Sequence, residues 1–314
     1  MDYKAPFLYF SAHLETILPA LTRKVSGISY QRERIGTPDN DFLDLDWLRQ
    51  DSERLVIISH GLEGNSTRPY MKGMARAFYE EKYDVLAWNY RGCSDEVNKQ
   101  LRFYHSGATD DLQVVIEHAM PLGYQQIFLI GFSLGGNITL KYLGENAGRM
   151  NDKIVKAAVF SVPLDLHSSC QKISQPSNFV YSRRFLKNLK EKVVTKAALM
   201  PDAISLAPLN KIKTLKEFDD EYTAPIHGFK DAIDYYNSCS SINFLSTITV
   251  PTLIVNAKND PFLTPECYPY ELVDDHPFIT FEAPERGGHV GFTEFNQNQR
   301  FWSEKRALQY FDHL

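Results

Sequence analysis

The sequence predicts an α/β fold with a mostly parallel sheet and helices on both faces. Three observations carry that prediction. Strand-like and helix-like runs alternate between residues 54 and 161, two extended runs precede them, and one apolar run breaks into a glycine-flanked serine that opens a helix. In chain order, residues 27–35 and 42–49 are extended, and the polar break Pro38-Asp39-Asn40-Asp41 between them predicts an antiparallel start. Arg54-Leu55-Val56-Ile57-Ile58-Ser59 reads as a buried strand. A helix near 68–81, a strand at 83–90, a helix near 108–120, the strand Gln126-Ile127-Phe128-Leu129-Ile130 and a sixth strand at 155–161 continue the pattern. Between Val162 and Thr249 the alternation stops. We read residues 163–249 as a helical cap inserted after the sixth strand, between core parts at 1–162 and 250–314. A strand at 250–257, an extended run at 277–283 and a final helix near Gln297 to Phe311 complete the chain.

The segment Gly131-Phe132-Ser133-Leu134-Gly135-Gly136 joins the strand at 126–130 to the helix-compatible run Asn137-Ile138-Thr139-Leu140-Lys141-Tyr142-Leu143. A strand, a sharp turn and a helix with a serine at the apex form a nucleophile elbow, so the chain reads as an α/β-hydrolase fold with an eight-stranded sheet. The flanking glycines have a steric reason, because side chains there would strike the adjoining strand and helix. A Gly-x-Ser-x-Gly match arises by chance in roughly one chain in ten of this length. The strand before it and the helix after it therefore carry the reading.

A serine hydroxyl is a poor nucleophile at neutral pH, so an elbow requires a histidine base, a carboxylate to orient it and two backbone donors for the oxyanion. In this fold the order is serine, acid, histidine, which restricts the search to residues after Ser133. His289 lies in the glycine-rich loop Arg286-Gly287-Gly288-His289-Val290-Gly291, where a loop can bring an imidazole over the elbow; the alternative is a surface-loop histidine. Asp260 follows the strand at 250–257, at the carboxyl end where open α/β sheets place their chemistry, although Asn259-Asp260-Pro261 is also ordinary turn chemistry. Asp165, after the sixth strand, is the rival acid. The oxyanion donors are expected from the N–H groups of Leu134 and of Leu62 in His60-Gly61-Leu62-Glu63-Gly64, with His60 shaping that loop.

Composition sets limits. The chain has 314 residues, 43% hydrophobic and 23% charged, enough for one α/β domain with an insertion. Its formal net charge of −5 argues against a nucleic-acid partner. Cys93, Cys170, Cys239 and Cys267 are widely spaced, with no zinc spacing, and read as reduced thiols of a cytoplasmic protein. The N-terminus beginning Met1-Asp2-Tyr3-Lys4 has no signal-peptide pattern, and no run of eighteen or so apolar residues occurs. A basic helical stretch at 182–196 carries Arg183, Arg184, Lys187, Lys190, Lys192 and Lys196, with Phe185, Leu189 and Val193 at i, i+4, i+8. It reads as a solvated outer face packed by one apolar stripe; such a helix can also make peripheral contact with a membrane or attract an anionic substrate.

Several stretches resemble one family far more specifically than the elbow does. They include His13-Leu14-Glu15-Thr16-Ile17-Leu18-Pro19, His60-Gly61-Leu62-Glu63-Gly64, Asn89-Tyr90-Arg91-Gly92-Cys93-Ser94, Tyr104-His105-Ser106-Gly107, Phe218-Asp219, Asn259-Asp260-Pro261 and Gly287-Gly288-His289-Val290-Gly291-Phe292. The chain resembles the YheT-like α/β-hydrolases, bacterial relatives of animal membrane-anchored lipases and of yeast medium-chain ethyl ester synthases and esterases. The resemblance implies a triad of Ser133, Asp260 and His289 and activity on carboxylic esters; we expect a serine hydrolase of short- to medium-chain acyl esters that needs no cofactor or metal. His105 and Asp110 also stand at a His-x4-Asp spacing associated with acyltransferases. The competing reading is that Ser106, Thr109, Asp110 and Asp111 cap the following helix. Acyl transfer to an alcohol on the same triad, and ligand binding without catalysis, are the alternative functions.

Overall fold

The protein is described here by a computed structural model covering residues 3–296 and 299–312. It opens with α1 (Ala12–Thr22), followed by β1 (Gln31–Gly36), β2 (Phe42–Leu48), β3 (Arg54–Ser59), α2 (Pro69–Glu80), β4 (Asp84–Asn89), α3 (Thr109–Ala119), β5 (Gln126–Phe132), α4 (Leu134–Glu145) and β6 (Ile154–Phe160). Helices alone fill the interval to the next strand: α5 (Leu166–Ile173), α6 (Phe179–Leu199), α7 (Leu215–Phe218), which continues through a π-helical turn into α8 (Ala224–Ile226), and α9 (Ala232–Cys239). Then come β7 (Thr252–Val255), α10 (Tyr270–Val273), β8 (Ile279–Glu282) and α11 (Trp302–Asp312).

The eight strands form one sheet in the order β1-β2-β4-β3-β5-β6-β7-β8. The β1–β2 and β2–β4 pairs are antiparallel and all the others parallel. Charge pairs fix the register at the antiparallel edge. Arg32 faces Asp46 and Arg34 faces Asp44 directly across the strands, and each guanidinium grips the opposite carboxylate with two hydrogen bonds of 2.7–2.9 Å. A slip of one residue would break both pairs. The parallel strands read as continuous apolar runs because both faces are covered. Leu55 and Ile57 of β3 join the core under α3 and α4, whereas Val56 and Ile58 join the core under α2 and α11. A third apolar cluster is built from α5–α9 and does not merge with the other two.

Several elements differ from expectation. The first strand begins at Gln31, and α1 was not foreseen as a helix; Pro19 inside it and the exposed apolar residues around it obscure the period. Gln297, the expected start of the last helix, lies outside the described residues, as do Met1 and Asp2; the helix itself runs from Trp302. The cap of α3 is Ala108, without a side-chain hydrogen bond. Asp110 and Asp111 do lie in the first turn, but Thr109 binds Glu145 at the end of α4, Asp110 pairs with Arg102 and buried Asp111 pairs with Arg91, so these side chains brace neighbouring segments and none supplies a capping hydrogen bond.

Candidate active site

The elbow forms because β5 and α4 leave no room for anything but glycine beside the serine. A Cβ on Gly131 would lie 2.5 Å from the Gly135 carbonyl oxygen, and one on Gly135 would lie 2.4 Å from that of Ser59 at the end of β3. Ser133 itself sits at φ 52°, ψ −120°, a conformation that costs a non-glycine residue on the order of 1–3 kcal/mol. Its N–H donates to Phe160 O on β6 (2.9 Å) and its carbonyl accepts from Asn137 N (3.1 Å), so the surrounding sheet and helix hold the strain. The side chain is thereby lifted clear of the backbone at the sheet's carboxyl edge.

Three side chains then meet in one hydrogen-bonded chain. His289 Nε2 lies 2.9 Å from Ser133 Oγ, and His289 Nδ1 lies 2.9 and 3.1 Å from the two Asp260 oxygens. Asp260 accepts only, so Nδ1 carries the proton and Nε2 is left to accept from the serine. The carboxylate is buried and also accepts from Phe262 N (2.9 Å), and the Phe262 ring packs 4.2 Å from the imidazole. Asp165, the rival acid, caps α5 by accepting from Ser168 N and makes no contact with the histidine among the hydrogen bonds of the described residues.

The loop bearing His289 is held mainly by α1, whose part in the site the sequence reading missed. Glu15 is 1% exposed and its carboxylate accepts from Gly287 N (3.0 Å) and Asn259 Nδ2 (2.7 Å) while pairing with Arg286 (2.5 Å). Thr16 Oγ1 accepts from His289 N (2.9 Å) and donates to Ala12 O (2.7 Å). One helix thus ties the loop after β7 to the loop after β8. A glutamate embedded in the apolar run of residues 14–21 was the available signal.

On the opposite side of Ser133 is the loop after β3. Tyr70 OH accepts from Gly61 N (2.9 Å) and Tyr104 OH from Glu63 N (3.0 Å). Between them, the Leu62 N–H has no hydrogen-bond acceptor among the described residues. Leu134 N–H is a first-turn group of α4, which a helix leaves without an internal partner. His60 is fully buried, bridging Gly61 O and Tyr90 N, and burial pushes its pKa down to about 3, so it is neutral.

Ser133 stands between two cavities. A mouth of about 210 Å³ is lined by α1, Arg68, Tyr70, Tyr181, Phe262 and His289. A second chamber of about 110 Å³ is lined by Leu62, Leu134, Leu166, Leu189, Leu215 and a polar group that includes His105, Asp219 and Tyr236. Two larger surface hollows, of about 860 and 770 Å³, contain none of the candidate side chains. His105 accepts from Gly107 N through Nδ1 (3.2 Å) and its ring packs at a tilt against His227; burial pushes its pKa down to about 3. No hydrogen bond joins it to Asp110 among the described residues.

The basic stretch of α6 is not a uniformly solvated face. Lys192 pairs with Glu63 (2.8 Å) beside the mouth, and Lys196 is fully buried, donating to Asn98 O, Asn98 Oδ1 and Gln100 O. Arg183, Arg184 and Lys187 do face solvent.

Comparison with known proteins places this geometry. The α/β-hydrolase fold family matches residues 54–295. YheT of Escherichia coli (strain K12), a protein named as an esterase, is 37% identical over 90% of this chain and 85% of its own. The chain belongs to the YheT-like α/β-hydrolases. By that membership it is an esterase- and lipase-like hydrolase. Phospholipase ABHD3 of Mus musculus is 28% identical over 89% of this chain and 70% of its own. Medium-chain fatty acid ethyl ester synthase/esterase 2 of Saccharomyces cerevisiae is 29% identical over 85% and 64%. Among solved structures, the Pyrococcus furiosus esterase Pf2001 shares the fold with a TM-score of 0.61 at 17% identity, covering 92% of this chain and 95% of that one. Among the described residues, no helix is long and apolar enough to cross a membrane.

Proposed function

We propose that this YheT-like hydrolase cleaves carboxylic esters of short- to medium-chain acids through Ser133, His289 and Asp260. The observation that carries the reading is the unbroken hydrogen-bonded chain from Asp260 through the imidazole to Ser133 Oγ. His289 Nε2 takes the serine proton as Oγ attacks the ester carbonyl, and Asp260 holds the tautomer and stabilises the imidazolium. The N–H groups of Leu62 and Leu134 receive the developing oxyanion, a contribution of about 2.7–4 kcal/mol for each donor. His289 then protonates the leaving alcohol, and a water activated by the same nitrogen releases the acid. In this reading residues 163–249 act as a cap over the site, and the protein works in the cytoplasm, in keeping with its four buried, unpaired cysteines.

The test is hydrolysis of p-nitrophenyl esters from acetate to palmitate at neutral pH. Wild type should turn over and Ser133→Ala should not, and a fluorophosphonate probe should label wild type alone. Asp260→Asn should lower kcat by about 10⁴-fold through the wrong imidazole tautomer, whereas Asp165→Asn should leave it within about twofold. Steep loss in Asp165→Asn with near-normal Asp260→Asn would overturn the acid assignment. A folded wild type that neither hydrolyses nor labels would overturn the reading altogether.

A further inference from the structure

We infer that the two cavities divide the ester between them: the smaller chamber is the acyl site, limited to short chains, and the mouth holds the alcohol half. This rests on the proposed esterase reading and deepens it.

The assignment follows from where the proton must go. During acyl-enzyme formation the bond between the carbonyl carbon and the alkoxy oxygen breaks, and the proton that Ser133 gave to His289 Nε2 passes to that oxygen. The leaving oxygen must therefore lie within reach of the imidazole. His289 lines the mouth and not the chamber. Leu62 borders both cavities, as the residue between two halves of an ester must, while Leu134 borders the chamber only. With the carbonyl at Ser133 and its oxygen toward these two N–H groups, the alkoxy side faces the mouth. The acyl chain is left with the chamber.

Size then sets the substrate class. An apolar cavity of about 150 Å³ accommodates a benzene, so 110 Å³ has room for about three to five non-hydrogen atoms beyond the carbonyl carbon. That corresponds to acyl groups from butanoyl to hexanoyl. Asp219 also lines the chamber, accepting from Tyr236 OH (2.6 Å) and Thr223 Oγ1 (2.6 Å), and a longer hydrocarbon pressed against this half-buried carboxyl would cost desolvation. Leu189 of α6 and Leu215 of α7 belong to the apolar part of its wall. Leu189 is half-buried, so changing it costs less in folding than changing a core residue.

The experiment is the chain-length profile of kcat/KM on p-nitrophenyl esters for wild type, Leu189→Ala and Leu189→Phe, with each protein's fold checked by circular dichroism. Wild type should peak between butanoate and hexanoate and fall at least tenfold by decanoate. Leu189→Ala should move the peak two or more carbons longer, and Leu189→Phe should move it shorter. A wild-type peak at decanoate or beyond, or a profile that neither variant moves, would overturn the division while leaving Ser133-dependent esterase activity intact. Absence of both turnover and fluorophosphonate labelling in folded wild type would overturn the division together with the esterase reading beneath it.

Discussion

At the residue scale, the candidate site depends on groups whose charge the fold sets. His60 illustrates this beside Ser133. Its folded pKa is held near 3 by burial, against about 6.5 in an unfolded chain, so below pH 6.5 the unfolded state binds a proton that the folded state does not. Stability from keeping His60 neutral is therefore complete above pH 6.5 and is lost as pH falls toward 3. We expect His60→Gln to be less stable than wild type at pH 7, because the bridge between Gly61 O and Tyr90 N is disturbed. The gap should narrow by about 2 kcal/mol between pH 7 and pH 5, since the variant has no imidazole to protonate. Urea unfolding at the two pH values measures it, and a constant gap would mean that His60 does not stay neutral. The sequence indicated that His60 shapes its loop, and it brought forward Ser133, Asp260 and His289, because an elbow and two post-strand loops leave local marks. It could not reveal that Tyr90 and Tyr104 reach into the same loop from distant positions, since such contacts leave no spacing to read.

At the element scale, the strands and the sheet-covering helices were legible because burial on one or two faces writes a period into the chain. Helix α1 was not, and it matters most to the site. Its hold on the His289 loop passes through two side chains, Glu15 and Thr16, so its contribution is positional and can be separated from general stability. Thr16→Val keeps the size of the side chain and removes the acceptor for His289 N. We expect kcat to fall about ten- to a hundredfold through misplacement of the imidazole, with KM changed less than about threefold. Loss of one hydrogen bond should cost only about 1 kcal/mol of stability. Thr16→Ser retains the hydroxyl and should recover most of kcat. If Thr16→Val and Thr16→Ser lose activity equally, or if kcat merely tracks unfolding, α1 is a structural strut without a positional role. The helices between β6 and β7 resisted element-by-element reading for another reason. They pack chiefly on one another, and their apolar residues answer to neighbours far apart in sequence.

At the scale of the whole molecule, the separation of apolar clusters has a thermodynamic consequence. The sheet and its helices share two cores, one on each face, whereas α5–α9 enclose a third. What joins the third to the sheet includes a series of polar ties. Lys196 reaches the loop after β4 at Asn98 and Gln100, Tyr235 OH accepts from Ser106 N, and Asn137 Nδ2 donates to Cys239 O. Polar ties of this kind contribute little net free energy when made but cost about 1–3 kcal/mol when one partner is left buried and unmatched. A unit attached in this way should open before the sheet does. Lys196→Met tests this, because it fills similar space while removing the Lys196 donor from the Asn98 carbonyl and side-chain oxygens and one of the two donors to Gln100 O. Native-state hydrogen exchange should then show amides of residues 166–239 losing about 1–3 kcal/mol of protection, with those of β3–β6 unchanged. Equal loss in the strands would mean that the helical segment and the sheet unfold as one cooperative body. Selective loss would mean that the wall of the smaller chamber can loosen while Ser133, Asp260 and His289 stay assembled on the sheet's edge.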